Sequence, residues 1–122
     1  MYKVLYYRDS RGNSPIADYI KSLGEKNDKD SRIKLRKLLE YIEYLSREGT
    51  QAREPYAKHL DGEIWELRPI RDRILYAAWD GERFILLHKF MKQTQKTPRR
   101  EIEQAQRNLA DYRERGGEDE SE

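Results

Sequence analysis

At 122 residues, 39% of them charged and 36% hydrophobic, the chain has the length of one domain with a modest core and a densely charged surface. It contains no cysteine, which excludes a disulfide scaffold, thiol chemistry and cysteine-ligated zinc, and no apolar run approaches the ~20 residues of a membrane span. The net charge of +2 hides an asymmetry, because residues 114–122 hold five acids and one Arg and leave residues 1–113 at +6.

A basic body with an acidic tail points to a polyanionic partner, and is equally compatible with a solvated surface. The start of the chain carries no signal-peptide pattern, so a cytoplasmic protein without membrane attachment is expected. Residues 1–115 read as a single domain and residues 116–122 as an acidic flexible tail.

The segment 2–9, YKVLYYRD, predicts a first strand, rich in aromatic and β-branched residues. Ser14 followed by Pro15 reads as the N-cap and first residue of a helix running to Gly24. Residues 31–49 predict a second helix, with Leu35, Leu38, Leu39, Ile42 and Leu45 on one face and Gly49 as its stop.

The period then changes. Residues 63–69 alternate, setting Glu66 and Arg68 opposite Trp65 and Leu67, and Pro69 ends the run. Two further strands follow, joined at Asp80-Gly81. Thr97 and Pro98 read as N-cap and first residue of a last helix, with Ile102, Ala105, Leu109 and Tyr112 as its apolar stripe.

The predicted fold is α+β: a small, mostly antiparallel sheet with two N-terminal helices on one face and a C-terminal helix. The second sheet face is wet or occupied. Alternation projects Arg68 from the face those two helices leave open.

Residues 88–100, HKFMKQTQKTPRR, gather Lys89, Lys92, Lys96, Arg99 and Arg100 with no acid among them. Arg68, Arg71, Arg73 and His88 lie on neighbouring strands and can converge with this run at one sheet end. Guanidinium and ammonium groups there suit a phosphate, Arg by bidentate pairing and Lys as a point charge. An RNA 2′-hydroxyl can attack the adjacent phosphate without a metal, if cations stabilise the phosphorane and proton carriers serve the two oxygens.

His88, Tyr76 and a lysine crowded by other cations are the candidate carriers. Each residue has a plainer reading. Arg68 can pair with Glu66 or Glu63. Arg73 can be a solvated turn residue, a surface group whose truncation costs little stability. His88 can be a half-buried histidine and Tyr76 a core residue, while Lys92, Lys96, Arg99 and Arg100 can be a nonspecific phosphate grip. Gly-rich phosphate loops and paired histidines at metal spacing are missing, and no cofactor is expected.

Three stretches carry a resemblance: Gly62 to Arg68, Arg73 to Tyr76, and the Leu-Leu-His-x-Phe-x-Lys-x-Thr-x-Lys-Thr-Pro run from Leu86 to Pro98. Together they resemble the HigB-type toxins, the phage-derived branch of the RelE/ParE superfamily of type II toxin–antitoxin systems. The resemblance covers nearly the whole chain. Gln93 departs from it, standing where a second Lys is expected beside Lys92.

The resemblance implies a compact RelE-like fold and a metal-independent, ribosome-dependent endonuclease that cleaves mRNA in the decoding site. It implies a helix-turn-helix antitoxin of the HigA type as partner, with the ribosome and mRNA as the other two. Carried over, Arg68 and Arg73 fall at the scissile phosphate, Lys92 and Lys96 at phosphate or ribosomal RNA, and His88 among the proton carriers. Lys89, Arg71, Arg99 and Arg100 are expected to bind RNA or ribosome. Two alternatives stay open: a ParE-like toxin that poisons DNA gyrase without cleavage, and a non-enzymatic RNA-binding module using Tyr2, Tyr6 and Tyr7 as exposed stacking residues.

Overall fold

In the computed structural model, which describes residues 1–117, the chain runs β1 (Lys3–Tyr6), α1 (Pro15–Gly24), α2 (Lys29–Glu48), a short 3-10 turn, β2 (Ala57–Asp61), β3 (Ile64–Leu67), β4 (Asp72–Ala78), β5 (Arg83–Met91) and α3 (Arg99–Glu114). The five strands form one sheet in the order β1-β5-β4-β3-β2. β1 lies parallel to β5 and every other pairing is antiparallel. The α+β reading holds. The last five residues of the expected acidic tail, 118–122, lie outside the described residues.

The α1–α2 pair forms for the reasons its sequence gives. The Ser14 hydroxyl accepts from Ala17 N–H, Pro15 opens α1, and Asp28 caps α2 through Ser31 N–H. Their apolar faces bury Ile16, Leu23, Leu38, Ile42 and Leu45 against Leu67, Ile74, Tyr76, Phe84 and Leu86 of the sheet. Leu39 departs from the expected stripe and is 45% exposed, one step off that face. Gly49 ends α2 at a φ of 53°, and a Cβ there would sit 2.1 Å from the Tyr2 ring. Both the backbone and the packing therefore require glycine.

The opposite face is not open. α3 covers it, packing Ala105, Leu109 and Tyr112 onto Leu5, Tyr7, Ile64, Leu75, Ala77, Ile85 and Leu87. Apolar side chains on both sides explain why β4 and β5 read as nearly continuous apolar runs. Tyr7 and Tyr112 meet edge to face, and Tyr2 and Tyr6 pack against the other core cluster. The stacking surface expected from Tyr2, Tyr6 and Tyr7 is therefore used up as core.

Strand β2 has no counterpart in the predicted elements. It is an edge strand with exposed Lys58 and His59, so it lacks an alternating apolar signature. It still matters to the site: β2 flanks β3, and Asp61 at its end anchors Arg99 at the start of α3.

Candidate functional site

A bulge in β5 sets the geometry. Leu75 pairs with His88 and Tyr76 with Leu86, so Leu87 is an extra residue. The backbone carbonyl of Leu87 accepts from Asn108 Nδ2 of α3 at 2.8 Å, which accounts for the buried Asn108. Because of the bulge, His88 shares the α3 side of the sheet with Leu87 rather than facing α1.

Glu66, Leu75 and His88 then stand in one row across β3, β4 and β5, spanning about 10 Å at ordinary strand spacing. Arg73 and Phe90 form the next row outward, with Arg68 beside them just past the end of β3. α3 begins over the first row and leaves the second beyond its N-terminus. There Arg68 and Phe90 are half-buried and Arg73 is buried, so the face expected to be open is only partly so.

Glu66 is the hub. It is 2% exposed, and its Oε2 lies 3.5 Å from Arg68 Nε and 3.9 Å from Arg73 Nε. Its Oε1 accepts from the Thr97 hydroxyl at 2.5 Å. A buried carboxylate needs such partners, because an uncompensated charge in the interior costs several kcal/mol or more. Thr97 consequently does not cap α3. The N-cap position falls on Pro98, which makes no capping bond.

Arg73 is buried, not a solvated turn residue, at 6% exposure. Its Nη1 donates to the carbonyls of Ile70 at 3.0 Å and Asp72 at 2.9 Å. Burial pulls its guanidinium below the usual value, and the charge of Glu66 opposes that shift. The group is held rigidly, with its geometry fixed before any ligand arrives.

His88 Nε2 meets Glu101 Oε1 of α3 at 2.7 Å, and the imidazole lies roughly parallel to Phe90 with ring centroids 6.3 Å apart. The carboxylate fixes one ring nitrogen as the donor and leaves Nδ1 to act on a ligand. Tyr76 takes its plainer role: it lies 2% exposed in the α1–α2 core, where burial raises its phenol well above the ordinary value.

The remaining cations divide. Lys92 and Lys96 have no side-chain ion pair or hydrogen bond among the described residues. Arg71 donates to the Lys92 carbonyl at 3.1 Å, and Lys92 N–H donates to the Arg71 carbonyl at 2.7 Å. This reciprocal pair ties the β3–β4 turn to the basic loop. Arg99 pairs with Asp61 at 2.5 Å and Glu103 at 3.5 Å, and Arg100 lies 3.6 Å from Glu101.

Cations in the first turn of a helix oppose its dipole. At the start of α3 both are matched by acids, Arg99 by Asp61 and Glu103 and Arg100 by Glu101. Lys89 departs from the set. It points to the other side of the sheet, its Nζ 4.2 Å from the Tyr19 ring centroid on α1.

The structure thus brings together Arg68, Arg73, His88 and the loop of Lys92 and Lys96, and sets Lys89 apart. Sequence reasoning missed Glu66, Thr97 and Glu101 as members. The alternation that put Glu66 on the same strand face as Arg68 was a signal for the first. Among the described residues no three His, Asp or Glu side chains are grouped to hold a metal ion, and no helix is long and apolar enough to cross a membrane.

A family model described as phage derived protein Gp49-like (DUF891) matches residues 19–110. The match takes in every residue of the corner, from Glu66 to Glu101. The family is associated with RelE-like and toxin-like proteins. No curated protein matches the chain.

Proposed function

The chain belongs to the Gp49-like family of phage-derived proteins, and on that footing we propose that it is the toxin of a type II toxin–antitoxin pair, a HigB-type endonuclease that cleaves mRNA on the ribosome. The observation that carries this reading is the corner itself. Arg68 and Arg73 are gathered on one buried carboxylate, beside a histidine oriented by Glu101, with Lys92 and Lys96, unpaired among the described residues, on the adjoining loop.

In this reading a message lies with one phosphate at Arg68 and Arg73. The 2′-oxygen attacks phosphorus, the bond to the 5′-oxygen breaks, and the products are a 2′,3′-cyclic phosphate and a 5′-hydroxyl. Negative charge grows on the non-bridging oxygens as the phosphorane forms, and the two guanidinium groups meet it. Glu66 neutralises part of the cation charge at rest and keeps both side chains from wandering. Nδ1 of His88 carries a proton to or from one of the reacting oxygens, with Glu101 stabilising the imidazolium. Lys92, Lys96, Arg71 and Arg100 supply a screened attraction to RNA phosphates. A helix-turn-helix antitoxin of the HigA type is the partner this reading assigns.

The test is an mRNA incubated with the purified protein, with and without translating ribosomes, with EDTA at the highest level the ribosomes tolerate, followed by mapping of the ends. Cleavage only on ribosomes, giving cyclic phosphate ends, is the expected result. Cleavage of naked RNA would make it a free ribonuclease. Growth inhibition with no cleavage in either sample would overturn the nuclease reading and direct attention to DNA gyrase.

A further inference from the structure

Around the sheet end from Arg68, on the side of α1 and α2, three tyrosines from two segments meet at the surface. Tyr41 and Tyr44 lie about one turn apart on α2. Tyr56, just ahead of β2, packs against both, with ring centroids 5.4 Å from Tyr41 and 4.5 Å from Tyr44. The Tyr44 and Tyr56 planes differ by only 30°, which is close to an offset stack.

One of the inner rings has an internal hydrogen-bonding duty. The Tyr44 hydroxyl accepts from Arg53 N–H at 3.2 Å, fixing the segment before β2 to α2. The outer ring has none. Tyr56 is 41% exposed, the only exposed Phe, Tyr or Trp among the described residues, and its hydroxyl makes no hydrogen bond among them. The Arg53 bond gives Tyr44 an internal role, while Tyr56 packs on Tyr41 and Tyr44 and keeps a solvent-facing surface beyond them.

The surroundings carry charges of both signs. The rings border an open groove of about 470 Å³ that is lined equally by two cations, Lys37 and Arg47, and two carboxylates, Glu40 and Glu43. Arg47 lies over the Tyr44 ring at 5.9 Å. The Lys37–Glu40 and Arg47–Glu48 pairs, both at 3.4 Å, are exposed and exchange readily for a phosphate. One backbone bond links the tyrosine cluster to the corner. The Tyr56 carbonyl accepts from Arg68 N–H at 3.0 Å.

We propose that Tyr56, backed by Tyr41 and Tyr44, is a stacking platform for one base of a single-stranded RNA whose neighbouring phosphate sits at Arg68 and Arg73. The proposal deepens the ribonuclease reading and takes its substrate from it. An exposed ring supported from behind can accept any base by its π-face, and the contact tolerates sequence. Stacking beside the cations also splays the strand, which is what in-line attack by a 2′-oxygen needs.

The test uses two short 2′-O-methyl RNA oligonucleotides, which resist cleavage, identical except that one lacks a base at a central position. Titrated into the full-length protein, the complete strand should bind about tenfold more tightly than the abasic one. Tyr56→Leu, which keeps an apolar group against Tyr41 and Tyr44, should erase that difference, and Tyr56→Trp should restore it. Equal binding of both strands by the parent overturns the platform, as does binding of neither. A Tyr56→Leu protein that still discriminates, or that loses affinity for a partner protein instead, overturns it too. The ribosome assay above decides the nuclease reading separately, since cleavage can be present with no base-dependent binding.

Discussion

The Thr97 hydroxyl donates to Glu66 Oε1 across 31 residues of sequence, at 2.5 Å. This bond joins the loop that carries Lys92 and Lys96 to the carboxylate that holds Arg68 and Arg73. Thr97→Val keeps the shape and removes the donor. Hydrogen bonds to charged groups are worth roughly 1.5–3 kcal/mol, so urea unfolding should show a loss of about 2 kcal/mol. RNA affinity should fall as well, since the loop is no longer fixed against the strand. A Thr97→Val protein as stable as the parent would make this bond incidental.

Arg68 and Arg73 share Glu66 but differ in burial, and their truncations should differ accordingly. Arg73→Ala leaves the Ile70 carbonyl without a donor and removes one of the two cations compensating the buried carboxylate. Breaking a buried pair in this way costs about 3 kcal/mol. The side chain of Arg68 is 25% exposed and, among the described residues, makes no carbonyl contacts like those of Arg73, so Arg68→Ala should cost less than Arg73→Ala, although it too removes a cation beside the buried carboxylate. Growth inhibition should be lost in both. Arg73→Lys separates the effects: it keeps the charge and most of the stability, but lacks the planar fork that grips a phosphate. Equal denaturation midpoints for the two alanine variants would count against the buried geometry of Arg73.

His88 and Glu101 should behave as a unit. Acid–base catalysis contributes roughly 10²–10⁴ in rate. His88→Ala should therefore slow cleavage by about that much while message binding, measured on a non-cleavable strand, stays near the parent value. Glu101→Gln keeps a hydrogen bond to the ring without the charge that stabilises the imidazolium, and should slow the reaction by less. The double variant should be no slower than His88→Ala. Multiplicative losses would mean the two residues act apart.

How much of this was legible depends on whether the signal was local. The Ser14-Pro15 start of α1 and the Leu38, Ile42 and Leu45 face of α2 follow from neighbouring residues, and the sequence displays them. So does the α3 stripe of Ile102, Ala105, Leu109 and Tyr112. The identity of Arg68, Arg73 and His88 as a cluster came from strand order and family resemblance together. Thr97 looks like a cap because threonine before proline usually is one, yet a partner 31 residues away outcompetes the local role. His88 changes face because Leu87 is a bulge, and no periodicity announces one inserted residue. Strand β2 has too little apolar surface to be read at all.

Alkaline pH gives the last test, because buried phenols tie the fold to proton binding. Burial, with a hydrogen bond to Asp111, pushes the Tyr7 phenol from 10.0 up to about 12. Tyr6, Tyr19 and Tyr76 are raised too, each chiefly by burial, and Tyr19 also by Asp72. The folded chain keeps these protons while the unfolded chain releases them, so above the unfolded value the native state binds more protons and stability falls as pH rises. The contribution is complete below about pH 10 and drains away as the pH climbs toward the folded value, about 12 for Tyr7. Urea midpoints taken from about pH 8 to about pH 11, with tyrosinate absorbance read alongside, should be flat at first and then decline. Tyr7→Phe should be less stable at neutral pH, having lost the Asp111 bond, and should decline less steeply above about pH 10. A parent midpoint that stays level to about pH 11, or an unchanged slope in Tyr7→Phe, would show that these phenols do not govern the alkaline limb.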